Sequence, residues 1–574
     1  MNTKVNKVLK IIIEIFFILT IVFFAWSITP KTFQNDTFYT IKIGEAIQNT
    51  TGDVKDLLPW NKGLDMKDHF SYHNLPYTYP HWLYDLLTYK IYNAHGFNGI
   101  YVTTCILSIA LGLLIYVINI KLNKNHNISF LITIVTIYCL KNFIAARAQL
   151  ATYLLFVLAI FFIEMFIKKK NVLYALGLIV ISWLIANLHC AVWPFFFIVF
   201  MPYIADWICI EFATYDYENH IKKVFLKLKK RKLEKEEYKR KKNELNEKIK
   251  EHDKLVESRF SKTNKIELDR KKNIKWLVLV MIICALIGLC NPIKNVPYTY
   301  LVKTMQGNTT ESISEHQPLV LVTHENVIVI FILIFGILIF SKAKIRLCDF
   351  YMLLGLIALS FFSQRQISML VLLGNFILVR LFCKVIHNIR DAIKLDEKSY
   401  EEIKLVINVL MITIIFSMSA ISAYELKSKK NDQFVDETSY PVAASEYINR
   451  ELIPVWGKEK LRLYNEYNYG SYLLFQGIPV FIDSRADLYA PEFNGQKNES
   501  GEYEGNDIFS DFMGINSLSK DYEEKFSEYK ITHVITYRDS KLSSLLDKDT
   551  NYSMLYSDEY FKIYERDRSI YEQD

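Results

Sequence analysis

Long apolar windows constrain this chain more than any other feature. A bilayer core needs about 20 consecutive, mainly apolar residues per helix. About eleven windows approach that requirement: 8–28, 98–120, 128–140, 149–167, 172–188, 191–210, 274–290, 324–341, 347–363, 366–386 and 405–424. The third is short, with an indistinct end around Lys141. At 574 residues and 51% hydrophobic, the chain is too long and too apolar for one ordinary soluble domain. The expected fold class is a polytopic α-helical membrane protein with about eleven transmembrane helices. The first window contains Glu14 and lacks a small-x-small cleavage site, so it reads as an uncleaved anchor with Glu14 reaching the interface.

Lys and Arg clusters set the expected orientation. They occur in "MNTKVNK", "KLNKNH" (121–126), "IKKKN" (167–171), the 220–275 segment, "SKAKIR" (341–346) and the loop near 384–404. With eleven spans and a cytoplasmic N-terminus, all six fall on the cytoplasmic side of a plasma (inner) membrane. The expected organisation is then an anchor (1–28), a first outer loop (29–97), spans two to six (98–210) and a basic cytoplasmic insert (211–273). Spans seven to eleven (274–424) follow, with an outer loop at 291–323, and an outer domain occupies 425–574.

The charge distribution fits this division. Residues 219–275 hold about 22 basic and about 10 acidic side chains, whereas 425–574 holds about 18 and about 29. The alternating signs in "KKRKLEKEEYKRKKNELNEKIKEHDK" describe a solvated helix or helical hairpin near anionic lipid headgroups rather than a nucleic-acid-binding arm. All eight cysteines lie in or beside apolar windows. No disulfide framework is expected in the outer regions, and no Cys–His spacing suggests zinc.

In the first outer loop, "DTFYTIKIGEAIQ" and "PHWLYDLLTYKIYNAHG" read as amphipathic helices lying along the membrane surface. The C-terminal region reads as an α/β domain. Strands are expected at "LRLYNEY", "PVFIDSR", "ITHVITYR", "YSMLYSD" and "YFKIYERD", and helices at "SYPVAASEYINRE" and "SKLSSLLDK". "GSYLLFQG" reads as either a helix or a strand, and 491–520 as a loop.

Polar residues recur at the outer ends of the spans. "KNFIAARAQLATY" supplies Arg147 and Gln149, and "IANLHCAVWP" supplies Asn187 and His189. The loop after the seventh span supplies Asn291, Glu315, His316 and Gln317, and "FFSQRQISM" supplies Arg365. An isolated arginine there can snorkel to headgroups, and a lone histidine can satisfy an interhelical hydrogen bond. Gathered at one membrane face, they describe a recessed cavity with acid, base and anion-binding groups. Such a cavity suits sugar transfer from a lipid-linked phosphate. Arginine grips phosphate through a planar fork, and a carboxylate takes the proton of the attacking acceptor. Asp36, just beyond the first span, is the expected base, with Arg147 and Arg365 for the phosphate and His189 and His316 positioning donor or acceptor. His81 and Trp82 are a sugar or isoprenoid platform or an interfacial anchor. Asp68 either pairs with Asp36 or caps the turn before Phe70 and Ser71. In "FIDSRADLY", an internal Arg485–Asp pair or an acceptor site is expected.

The layout resembles the GT-C superfamily of membrane glycosyltransferases, which use polyprenyl-phosphate-linked sugars and carry a catalytic Asp in the first outer loop. Asp36 matches that position. "NDTFYTIKIGEAI", "DHFSYHNLPYTYPHWLYDLL", "RAQLATYLLF", "ANLHC", "CNPIKNVPYTY", "ISEHQPL", "SQRQ" and "YGSYLLFQGIPVFIDSRADLY" make the chain similar to a poorly characterised bacterial GT-C-like group across almost its whole length. The resemblance implies a polyprenyl-phosphate sugar donor and an envelope glycan, lipid or protein acceptor. The group's usual "W-x-H" after the first Asp is absent here, where "DTFYTIK" stands instead, and the next acids, Glu45, Asp53, Asp56, Asp65 and Asp68, are scattered. Mg or Mn therefore stays an open expectation, since no tight carboxylate spacing demands it. The rival readings are a transporter or flippase of lipid-linked glycans, which predicts polar mid-membrane residues and an inverted repeat, and an inactive scaffold with the same fold.

Overall fold

A computed structural model describes residues 3–52, 54–57, 63–229, 234–261, 265–268, 273–307, 309, 313–320, 325–393, 397–500 and 503–571. Asp53 lies outside them. The apolar windows fold as helices: α1 (Thr3–Ile28), α3 (Trp82–Asn123), α4 (His126–Cys139), α5 (Ala148–Lys169), α6 (Val172–Leu188), α7 (Met201–Thr214), α10 (Ile274–Ile287), α12 (Glu325–Phe340), α13 (Leu347–Phe362), α14 (Ile367–Ile393) and α15 (Glu397–Ser428). Between them lie α2 (Asn35–Thr51), α8 (Tyr217–Leu228), α9 (Lys235–Ser261) and α11 (Val296–Gln306). Among the described residues, six segments are long and apolar enough to cross a bilayer, and five further apolar helices are shorter. The chain is thus a membrane protein by the length and composition of its helices. Side chains set some helix starts: Asn125 accepts from Ile128 N and Asn171 from Leu173 N, each satisfying an amide left free at a first turn.

Two hydrophobic cores organise the chain. One lies inside the helical bundle and includes Phe17, Tyr116, Phe156, Ile185, Leu277 and Leu372. The other joins α2 and the first part of α3 to the C-terminal domain, through Phe38, Ile43, Trp82, Tyr472 and Phe481. The two helices expected to lie along a membrane surface are therefore packed instead. α2 buries Phe38, Ile41, Ile43 and Ile47, and its Gly44 sits where a Cβ would stand 2.1 Å from Asp85 O of α3. α3 has its one non-helical residue at Gly96, φ 61°, where the first part meets the long apolar part.

The C-terminal domain holds a four-stranded sheet of β1 (Leu463–Tyr464), β2 (His533–Tyr537), β3 (Tyr552–Ser557) and β4 (Phe561–Arg566), in the order β1-β2-β4-β3. β1 runs parallel to β2, and the remaining pairs are antiparallel, with Ile535 opposite Ile563. Helices α16 (Val442–Tyr447), α17 (Tyr467–Phe475), α18 (Ile508–Ser517), α19 (Tyr522–Glu528) and α20 (Lys541–Leu546) also belong to the domain. "GSYLLFQG" is thus mostly helical, and the expected 491–520 loop contains α18. "PVFIDSR" is not a ladder strand. Its backbone is held mainly by side chains: Phe481 N donates to Asn465 Oδ1 (2.8 Å), Asn465 Nδ2 donates to Ile482 O (2.7 Å), and Ser484 N donates to Ser471 Oγ (3.2 Å).

Charge also enters the bundle. Toward the far end of α5, Arg346 Nη1 donates to Glu164 Oε2 (3.0 Å) and Arg346 Nε to Asp349 Oδ2 (2.9 Å). Arg380 Nη1 donates to Asp349 Oδ1 (2.6 Å), and Tyr203 OH to Glu164 Oε1 (3.0 Å). Two cations face two anions, which is the arrangement that makes burial of charge tolerable. Glu14 is partnered as well, accepting from Tyr116 OH (2.6 Å) and meeting His126 Nδ1 at 2.7 Å.

Candidate functional site

The site is built where loops at one end of the bundle meet the first turn of α2. Asp36 stands in that turn. Asn35 Nδ2 donates to Tyr467 O (2.8 Å) at the start of α17, and Thr37 Oγ1 donates to Ala146 O (3.3 Å) in the loop before α5. These two bonds hold the turn between the C-terminal domain and Arg147, which caps α5 in an extended conformation. Arg147 Nε lies 2.9 Å from Asp36 Oδ2, and Arg147 Nη1 lies 3.7 Å from Glu315 Oε1. The Asp36 contact is an ion pair without an aligned hydrogen bond. Burial works against the Arg147 charge, but the carboxylates of Asp36 and Glu315 outweigh it and hold the guanidinium protonated.

Glu315 and His316 are brought in by their backbone. Ser363 Oγ donates to Glu315 O (3.2 Å) and Gln364 N to Gln317 O (2.9 Å), so the 313–317 segment is fastened to the turn carrying Arg365. Arg365 Nη2 reaches Gln149 Oε1 at 3.5 Å. Among the described residues no carboxylate forms an ion pair with Arg365. His81 and His189 face each other edge to face, ring centroids 4.7 Å apart, and Cys190 N donates to Pro80 O (3.0 Å) to join their loops. His189 Nδ1 lies 3.5 Å from Thr152 Oγ1, whose proton goes to Gln149 O (2.8 Å). That leaves Nδ1 as the donor and Nε2 as the free acceptor of a neutral ring.

All three histidines are held neutral. Burial lowers His81 to about 4, against the raising effect of Asp36 and with Arg365 and Arg147 adding to the fall. Burial and then Arg365 lower His316 to about 4, and burial, His81 and Arg365 push His189 well below its ordinary value. The imidazoles are thus available as neutral hydrogen-bonding groups beside Asp36, Arg147, Glu315 and Arg365.

Of the residues expected to form the site, Asp36, Arg147, Glu315, His316, Arg365, His81 and His189 are brought together. Asp68 is not part of this set. Its oxygens accept from Ser71 N (2.9 Å), Phe70 N (3.3 Å) and Arg485 Nη1 (2.8 Å), so it caps the turn and closes a buried ion pair. Arg485 also pairs with Asp483 (2.6 Å), so the Asp483–Arg485 string is an internal brace. Trp82 is fully buried and donates to Asn187 Oδ1 (3.1 Å), which leaves no face for a sugar. Two contributors, Thr152 and Tyr467, were not anticipated, and a third, Asp487, belongs to the "FIDSRADLY" string. Thr152 orients His189. Tyr467 stands near Asp36 and Arg147, its phenol raised by burial and then by the Asp36 carboxylate. Asp487 accepts from Tyr300 OH, and burial raises its carboxyl while Arg365 works the other way. No local signal marks Tyr467, since 432 residues separate it from the Asn35 it holds.

Among the described residues, no three His, Cys, Asp or Glu side chains converge as metal ligands. Asp36 shares its space with a guanidinium, and the histidines stand beside two arginines. This donor set does not fit Mg or Mn, and no step below runs through a metal. No protein-family model matches this chain, and no curated protein shows significant similarity to it.

Proposed function

We propose that the protein is a GT-C-like membrane glycosyltransferase that moves a sugar from a polyprenyl-phosphate donor to an envelope glycan, lipid or protein. In this reading the eleven apolar helices all cross the plasma membrane, and the site faces outward. The observation that carries the proposal is the Asp36–Arg147 contact at 2.9 Å, with Arg365 nearby and, among the described residues, in no ion pair with a carboxylate. A base beside phosphate-binding cations, at a span terminus, is what displacement at a lipid-linked phosphosugar requires.

In the step proposed, the acceptor O–H or N–H gives its proton to Asp36 as its lone pair attacks the anomeric carbon. The bond from that carbon to the phosphate oxygen breaks, and the electron pair leaves on the phosphate. Arg147 and Arg365 take up the added negative charge. Neutral His189 and His81 hydrogen-bond donor or acceptor without pairing, as cations, with the phosphate or with Asp36. A single displacement of this kind inverts the anomeric centre.

The test is turnover of radiolabelled polyprenyl-phosphate sugars by purified protein in lipid with crude envelope acceptor, wild type beside Asp36→Asn. Transfer by wild type and a loss of about 100-fold or more in the variant is expected. Equal transfer by both would remove Asp36 from the chemistry. An Asp36→Asn protein that folds and retains every cellular phenotype would favour the inactive-scaffold reading.

A further inference from the structure

The basic insert contains a feature that charge alone does not explain. α8 follows α7 after only Tyr215 and Asp216, and Asp216 caps it by accepting from Asn219 N (3.1 Å). Two connecting residues span at most about 7 Å, so α8 begins close to where the apolar Cys190–Phe212 segment ends. On α8, Tyr217, Ile221, Val224, Phe225 and Leu228 are between 47% and 73% exposed. At 3.6 residues per turn these five positions fall within an arc of roughly 100°. Leu226 lies roughly opposite that arc and is buried. Lys223, also away from the stripe, donates to Asn246 Oδ1 of α9 (2.7 Å). The apolar stripe is therefore the face α8 turns away from its own hairpin partner.

We infer that this stripe lies in the plane of the membrane leaflet on the insert's side, among the upper acyl carbons, and that its occupant is an anionic lipid bilayer. Three features favour lipid over a protein partner. The stripe is continuous with a candidate span through a two-residue joint. Lys222 and Lys227 are exposed on the same helix and Lys229 just past its end, and the wider 219–275 segment carries an excess of about 12 positive charges. Tyr215 within the joint and Tyr217 directly after it are exposed aromatics with a polar end, the side chains that settle at headgroup depth. α8 then acts as an in-plane anchor, with α9 above it on the aqueous side. The inference rests on Cys190–Phe212 crossing the membrane and is independent of the chemistry at Asp36.

The test uses the full chain in nanodiscs containing phosphatidylserine, with Phe225→Trp placed in the stripe and Lys242→Trp on the exposed surface of α9 as reference. Fluorescence in excess of wild type is read with and without bromine on the acyl chains. The Phe225→Trp signal is expected to be blue-shifted and cut by about half or more by brominated lipid, while the Lys242→Trp signal stays red and unquenched. Quenching should weaken when phosphatidylcholine replaces phosphatidylserine. A blue-shifted but unquenched Phe225→Trp signal would mean that protein covers the stripe, and a red, unquenched one that water does. Either result would overturn the inference. Equal quenching in both lipids would overturn its anionic component.

Discussion

Replacing Gly44 by alanine tests how Asp36 is held. A Cβ at this position would stand 2.1 Å from Asp85 O and 2.6 Å from Tyr89 Cβ. Carbon atoms in contact prefer about 3.5–4.0 Å, so α2 and α3 must separate by about 1 Å. Both helices are held on other sides, α2 by α17 and α3 by the bundle, and neither contact atom is the end of a flexible side chain. Overpacking of this kind costs about 1–3 kcal/mol. Alanine returns up to about 1 kcal/mol of helix propensity, so a net loss of about 1–2 kcal/mol is expected. Gly336→Ala in α12 is the control, because nothing lies within 4 Å of its Cβ position. Thermal unfolding of the purified proteins in detergent should show a lower Tm for Gly44→Ala and an unchanged or higher Tm for Gly336→Ala. Asp36 sits eight residues before Gly44, about 12 Å along the helix. A shift of about 1 Å would loosen the Thr37–Ala146 bond and the Arg147 contact, so turnover should fall by about 100-fold. If Gly44→Ala is as stable as Gly336→Ala and as active as wild type, the close crossing of α2 and α3 does not position the base.

Two further outcomes concern the C-terminal domain. Arg485→Gln leaves the fully buried Asp68 and Asp483 carboxylates without their cation, and should cost about 3–5 kcal/mol, read as faster limited proteolysis of this domain; a cost below about 1 kcal/mol would refute the brace. His533 is fully buried, and burial followed by Arg568 lowers it to about 4 from an ordinary 6.5. The unfolded chain therefore binds the proton first. The contribution is fully present above pH 6.5 and is lost as pH falls toward 4, by about 3 kcal/mol for this residue. His533→Gln should flatten that part of the stability–pH curve, and an unchanged curve would refute the assignment.

Apolar length was legible in the sequence, because each bilayer-length run had one way to satisfy its backbone, and the eleven windows all fold as helices. The gathering of Arg147, His189 and Arg365 was legible for a related reason: each stood at the end of an apolar window, and helix ends share a level, whereas Glu315 and His316 reach it from the loop after α10. What was hidden depends on pairing across long separations. "PVFIDSR" has the composition of a buried strand, but Asn465 and Ser471 supply bonds that a neighbouring strand would otherwise make. Asp68 carried the same carboxylate as Asp36, and only Arg485, 417 residues away, decides that it is a brace. Glu164 is the one acid within α5, and its partners Arg346 and Arg380 lie 182 and 216 residues further along the chain.

That last cluster bears on how the chain is made. Glu164 enters the membrane on α5, 182 residues before Arg346 and 216 before Arg380. At about 5–20 residues per second, it waits about 10–40 seconds for its second partner. An unpaired charge buried among these helices is costly until a partner reaches it, and the guanidiniums arrive carrying the complementary cost. The four charges cancel only once α13 and α14 are in place, so α5 has reason to stay with the insertion machinery until they emerge. The ion network thus ties the charge balance of α5 to helices that follow it by many residues: a chain truncated before Arg380 keeps uncompensated charge in its bundle.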